Sequence, residues 1–278
     1  MMLRSVFGAT VVVLAFGSFA ADSLLWRGLA WSQATKDSLA SDSMSVERFA
    51  AATARLGAAL ASRSNEPSSC FWQQVLQSAA ANARQQRQGR IEMTTKDTKS
   101  WASSNTRDEQ GARNLLWLAN DRYRGHRLIV WSATIHAVRN VANIDTRDTA
   151  LSYANYSTTG HHVWKALGSQ SYTLGFVALT GSGRLGPDSW QIKTRPTPEV
   201  QLEELLGAAG FETAFLDYRH IARGGEWLRQ PMLSRPIAEH AKMARWNEVL
   251  DGIVFLREMK PATWPDFEAR LRGAPPGH

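Results

Sequence analysis

The sequence predicts an α/β protein: a mixed, largely parallel sheet flanked by helices and preceded by a helical segment. Three observations carry that expectation. Between Trp101 and Ala262, helical stripes alternate with short runs rich in Val, Ile, Leu and Phe, the pattern of strands buried beneath connecting helices. Before that, from Asp22 to about Arg90, apolar residues recur at helical spacing and no strand pattern intervenes. The composition is that of an average globular chain, 278 residues with 44% apolar and 21% charged. Such a balance excludes a mainly disordered chain, a collagen-like repeat and a polytopic membrane protein.

The N-terminus reads differently from the rest. Arg4 gives a positive start, Ser5 to Ala21 carry no charge, and Ala9 to Phe16 form an apolar heart. Small residues then lead to Ala20, the plan of a signal peptide over residues 1–20. The run falls short of the roughly 20 apolar residues that a spanning helix needs. Export to the periplasm or the medium is therefore expected. The alternative is an uncleaved N-terminal anchor, in which case alone the membrane is a partner. Cys70 is the single cysteine, which excludes an intramolecular disulfide framework and a Cys-rich zinc module.

Residues 21–100 form the predicted helical segment. Val46, Phe49, Ala50, Thr53 and Leu56 share one face, and Pro67 opens a second helix with Cys70, Phe71, Val75 and Ala79 on its apolar side. Cys70 is read there as a small core residue. Residues 101–262 carry the alternation. Thr106 and Glu109 fit a capping box, ahead of Ala112, Leu115, Leu116 and Ala119. After Gly125 a buried strand is expected over 127–133, then a helix through His161 and Lys165 to Gly168, and a strand over 172–179. A helix opened by Thr197, Pro198 and Glu199 runs to Gly210; strands over 213–216 and 252–256 follow. Ile129, Val130, Phe176, Val177, Phe215, Leu216, Val254 and Phe255 are the predicted core. Residues 263–278 read as a mobile tail.

Charge and motifs narrow the chemistry. The net charge of +7 comes from basic residues scattered among acidic and apolar ones, so a solvated basic surface is expected and nucleic acid is not a partner. Gly181, Gly183 and Gly186 match dinucleotide-loop spacing, but Pro187 follows where a helix should begin, so the segment reads as a flexible loop. A G-x-S-x-G nucleophile elbow is absent. His161 and His162 are neighbours, about 100° apart on a helix, and no metal-ligand spacing occurs elsewhere. No metal and no cofactor are expected. His136, just past a predicted strand, is the best candidate for a general base; a loop-capping histidine is the plainer role for it.

An ordered set of segments resembles the erythromycin esterase family, which includes succinoglycan-biosynthesis-related proteins. The set comprises Arg107-Asp108, Asn114 to Ala119, Ile129-Val130-Trp131 with His136 five residues on, Gly160 to Gly168, and the strand near Asp251-Gly252. The likeness spans about residues 70–262, and its fold is a mixed sheet wrapped by helices. Known members hydrolyse esters, including macrolide lactones, with histidines and carboxylates that activate water. The resemblance implies a small-molecule ester or lactone as ligand, His136 as catalytic residue, and Arg107, Asp108 and Asn114 as substrate contacts. Helix capping would by itself account for Asp108.

Two departures bear on activity. The family's Trp-Ala-His-Asn-x-His reads here Trp131-Ser132-Ala133-Thr134-Ile135-His136, so Ala133 stands for the first histidine. A Gly-Glu-x-x-His-Gly motif, expected near the N-terminus, is not found. The sequence thus suggests an exported hydrolase of this family, shortened and impaired. A non-catalytic envelope protein that binds a ligand on the same fold is the alternative, and a partial gene product a third reading.

Overall fold

The computed structural model describes residues 11–15, 43–62, 67–97, 99–148, 150–185, 188–192, 198–237 and 240–261. They fall into two compact units, one within Met1–Thr173 together with Glu248–Leu250, the other within Leu174–Asn247 and Asp251–His278.

The first unit is built on three helices, α1 (Ser43–Ala61), α2 (Pro67–Thr95) and α3 (Ala102–Trp117). Val46, Ala50 and Thr53 bury one face of α1, and Val75, Ala79 and Ala83 one face of α2. The alanines let the helices approach closely, and α2 packs against both α1 and α3. Its polar stretch after Ala80 continues the same helix. Cys70 is exposed, as are its neighbours Phe71 and Trp72, so the expected core role is overturned. The capping box is also corrected. Helix α3 starts at Ala102, and the Thr106 hydroxyl donates back to the Ala102 carbonyl inside it. Glu92 of α2 caps the helix instead, its Oε1 accepting from Ser103 N at 3.0 Å and Ser100 Oγ at 2.8 Å.

A π-turn, Leu118–Arg122, closes α3, and Gly125 with φ +80° makes the turn into β2 (Arg127–Trp131). Strand β1 (Val11–Ala15) pairs parallel with β2, Val13 opposite Ile129. These five residues lie within the apolar heart of the expected signal peptide, most of which lies outside the described residues, as does the C-terminal tail. Strand β2 is not buried: Ile129, Val130 and Trp131 are 48%, 39% and 60% exposed. One helical turn, α4 (Thr134–Ala137), follows, and later α5 (Thr159–Leu167), which ends at Gly168 as expected.

The second unit holds a mixed four-stranded sheet in the order β4-β3-β8-β5. Strands β3 (Leu174–Leu185) and β8 (Gly252–Met259) run parallel; β4 (Asp188–Gln191) and β5 (Thr213–Asp217) are antiparallel to their neighbours. The register places Val177, Phe255 and Ala214 on one face and Phe176, Val254 and Phe215 on the other. Val177, Ile253 and Phe255 are core, whereas Phe176 and Phe215 are exposed and Val254 and Leu216 half-buried. Side chains alternate across a strand, so consecutive residues of one strand do not share this one-sided core. Gly181 and Gly183 are not in a loop but in strand β3, whose Ser182 to Leu185 pair with β4; Gly186 lies outside the described residues.

Helix α6 (Leu202–Ala208) begins later than predicted, with Glu204 Oε2 accepting from the Gln201 amide; Pro198 and Glu199 precede it, and Thr197 lies outside the described residues. Leu202 and Leu206 seat it on the sheet. Its Glu203 is fully buried, and Oε1 accepts from Arg235 N at 2.7 Å and Ser234 Oγ at 2.9 Å. Oε2 has no hydrogen bond among the described residues, and the Arg235 Nε lies 3.9 Å from Oε1. Burial outweighs these donors and pushes the Glu203 carboxyl above its ordinary range. A short hairpin, β6 (Met232–Ser234) with β7 (Lys242–Ala244), and the turn α7 (Trp246–Val249) lead into β8. No described helix is long and apolar enough to cross a membrane.

Candidate functional site

Helix α3 and the single turn α4 bring three of the four predicted site residues together. Asp108, in the second turn of α3, has only 2% of its surface exposed and is the centre of the cluster. Its Oδ1 accepts from Arg107 Nε at 2.9 Å, and its Oδ2 faces His136 Nδ1 at 3.0 Å. A fourth member was not foreseen. The Tyr156 hydroxyl donates to Asp108 Oδ2 at 2.7 Å and lies 3.0 Å from His136 Nδ1. Asn114 belongs elsewhere: six residues on, it accepts from Gln110 and donates to Ser78 Oγ, joining α3 to α2.

Backbone packing fixes the turn that carries His136. Gly160 of α5 lies so close that a Cβ there would stand 1.7 Å from the Ala137 carbonyl oxygen. Thr158, fully buried, caps α5 by accepting from His161 N at 3.0 Å and donates to the Val138 carbonyl. Beyond α4, Arg139 N donates to the Val249 carbonyl at 3.1 Å, and its side chain reaches the Glu248 and Leu250 carbonyls. Thr159 Oγ1 donates to the Asp108 carbonyl, tying α5 to α3. The histidine therefore stands on short-range backbone contacts from three directions.

The electrostatics follow from the partners. Burial by itself would raise the Asp108 carboxyl, but the His136 hydrogen bond and charge, the Arg107 charge and the Tyr156 hydrogen bond carry it below its ordinary value. Burial, and then the Asp108 charge, push the Tyr156 phenol well above its ordinary range, so it stays a donor. An ionised Asp108 can only accept, which assigns the proton of a neutral His136 to Nδ1. Nε2 then carries the lone pair. Arg107 Nη2 is 3.1 Å from Nδ1 and 3.5 Å from Nε2, which sets a cation close to both ring nitrogens. The His136 and Arg107 side chains are 19% and 32% exposed, open enough to meet a solute.

Ala133 directly precedes α4, and its carbonyl accepts from His136 N at 3.0 Å. Its methyl group can neither donate nor accept a proton. His162 is paired through Nε2 with Ser157 Oγ at 3.1 Å. Among the described residues no group of three or more His, Cys, Asp or Glu side chains is placed to hold a metal ion.

Geometry of this kind, an oriented imidazole beside a buried carboxylate, can be compared with known proteins. The erythromycin esterase family model matches residues 18–259. The chain belongs to the erythromycin esterase family. A relative of this family member, YbfO of Bacillus subtilis (strain 168), whose name assigns it provisionally to the hydrolases, is 26% identical over 160 residues. That match takes in 56% of this chain and 35% of YbfO. Among solved structures, a Bacillus cereus protein superposes with a TM-score of 0.65 at 14% identity, over 86% of this chain and 59% of its own. A succinoglycan biosynthesis protein gives 0.60 at 16%, over 87% and 59%. A mutant of the erythromycin esterase EreC in its open conformation gives 0.51 at 12%, over 86% and 56%. These likenesses establish the fold. The chain spans about a third of YbfO and under three fifths of the solved chains.

Proposed function

We propose that this erythromycin esterase family member attacks the carbonyl of a small-molecule ester or lactone with water, using His136 as general base. The supporting observation is the hydrogen bond between His136 Nδ1 and the buried, ionised Asp108, which leaves Nε2 as the proton acceptor. Water loses a proton to Nε2 as its oxygen adds to the carbonyl carbon. Asp108 holds the ring and stabilises the imidazolium that forms. Arg107, close to both ring nitrogens, offers its charge to the developing oxyanion. The imidazolium then returns the proton to the leaving alkoxide as the ester bond breaks.

Turnover is slow in this reading, because Ala133 occupies the place of one family histidine and general-base assistance is worth about 10²–10⁴ in rate. Purified protein incubated with erythromycin and followed by mass spectrometry tests it. Slow ring opening that disappears in His136→Ala is expected; ring opening unchanged in that variant would overturn it. Ala133 also favours the second reading, a non-catalytic binding protein. No turnover together with His136-dependent binding of erythromycin would select that one. Export is part of the proposal and rests on Arg4, the uncharged stretch and the small residues before Asp22. Protein from an envelope or extracellular fraction should begin near Ala21; intact Met1 in cytoplasmic protein would remove export from the proposal.

A further inference from the structure

Tyr156 lies in a segment without regular secondary structure, yet it is firmly held. The Trp101 indole stacks on its ring, with centroids 4.5 Å apart and planes within 13°. Trp101 Nε1 donates to the Ser152 carbonyl at 2.6 Å. Asn105 grips the chain on both sides, donating to the Asn155 carbonyl and accepting from Ser157 N, each at 2.8 Å. Residues 152–157 are thus clamped to α3, the helix that carries Asp108. The phenol oxygen, Asp108 Oδ2 and His136 Nδ1 form a triangle with sides of 2.7, 3.0 and 3.0 Å.

We propose that Tyr156 is a positioning residue for His136: by sharing Asp108 Oδ2 with the imidazole, it fixes the ring proton on Nδ1 and keeps Nε2 bare. The proposal rests on the reading of His136 as the base, and its logic is a count of protons. The phenol hydrogen points along the shortest side, to the charged oxygen. Nδ1 then faces a carboxylate oxygen and a phenol lone pair, with the Arg107 Nη2 donor 3.1 Å away; a bare Nδ1 would set its lone pair against the Asp108 charge, so the proton belongs on that nitrogen.

The other groups around His136 are consistent with this. Arg107 from α3 is a donor only, so it cannot accept the ring proton. Helix α5 brings His161 and His162 in its first turn, and His162 Nε2 is engaged by Ser157. Burial, and then the charges of His162 and Lys165, hold the His161 imidazole below its ordinary range, so it adds little positive charge. Helix α4 carries no ionisable side chain besides His136.

The test uses the full chain labelled with 15N-histidine, with no substrate present, so loss of hydrolysis and failure of this proposal are separable. His136 resonances are assigned by their disappearance in His136→Gln. In the native protein the neutral ring should show a protonated Nδ1 and a bare Nε2. Tyr156→Phe keeps the stack on Trp101 and removes only the hydroxyl. In that variant the neutral His136 ring should lose its uniform Nδ1-protonated pattern, with the Nε2-protonated form appearing beside it. A neutral ring protonated on Nε2 in the native chain would overturn the proposal without any variant, as would an unchanged Nδ1-protonated ring in folded Tyr156→Phe.

Discussion

Asp108 and Glu203 are both withdrawn from water, the first with 2% of its surface exposed and the second with none, yet their carboxyl groups shift in opposite directions. The contrast lies in the donors. Asp108 has both oxygens served, with Arg107 on one and Tyr156 and His136 on the other. Glu203 concentrates two uncharged donors on Oε1, leaves Oε2 bare, and has its cation at 3.9 Å. Equal burial therefore produces an acid that stays ionised in one place and one that resists ionisation in the other. Only the first can orient a histidine and stabilise its charged form. The second holds α6 to the segment that carries Ser234 and Arg235, a task that does not need charge.

Exchanging each acid for its amide is the direct way to break this comparison. Asp108→Asn should be the most severe change. The amide turns an acceptor into a donor on one side, so His136 loses its reason to keep the proton on Nδ1. On the proposed function, erythromycin hydrolysis should fall about 10²–10⁴-fold. Retained activity in a steady-state assay would show that the pairing is only structural. Gly160→Ala comes next, because its Cβ would meet the Ala137 carbonyl at 1.7 Å. Pushing α4 away should cost about 1–3 kcal/mol in urea unfolding and shift His136 as well.

Acidity sharpens the contrast through its sign. The Asp108 carboxyl is lowered from 3.8 on folding, so its stabilisation is complete above that value and fades as pH falls through the lower folded value. Glu203 is raised from 4.5, so stability is greatest below that value and declines as pH climbs towards the folded one. In thermal unfolding across the acid range, the gap between native protein and Asp108→Asn should widen with rising pH. The corresponding change in Glu203→Gln should run in favour of the variant. Parallel curves would mean that the two acids share one environment. The smallest effect is expected for Glu203→Gln at neutral pH, within about 1 kcal/mol, since a neutral carboxyl and its amide keep the same acceptor oxygen for Ser234 and Arg235 N. A loss above about 3 kcal/mol, the range of a broken buried ion pair, would reveal an ionised Glu203 dependent on Arg235.

What was legible in the sequence divides along physical lines. Arg107, Asp108 and His136 were found because a family likeness preserves their spacing, and the structure joins them. The strands of β3, β5 and β8 were visible as apolar runs. Their sidedness was not, since a run such as Phe176-Val177 does not say which face meets a helix. Thr106 and Glu109 imitate a helix start because the capping pattern is local, whereas Glu92 caps α3 from another helix. Tyr156 escaped notice for a similar reason. Its segment has no periodicity, and its partners, Trp101 and Asp108, lie some fifty positions earlier. Two tyrosines three apart, Tyr153 and Tyr156, were the available sign of an aromatic contact.

Residues 248–250 have a consequence for biosynthesis. They complete the unit that carries the site, since Arg139, directly after Val138 behind the His136 turn, ends on their carbonyls. Translation delivers Thr173 first and Leu250 only after the second unit's strands up to β7 have been made. At about 5–20 residues per second, that leaves an interval of roughly 4–15 s. During it the nascent histidine turn lacks the acceptors that Arg139 will later use. A ribosome stalled within 174–247 would hold a chain with all four cluster residues and an unfinished support. The backbone support of the cluster is therefore completed by a tripeptide made well after the four cluster residues themselves.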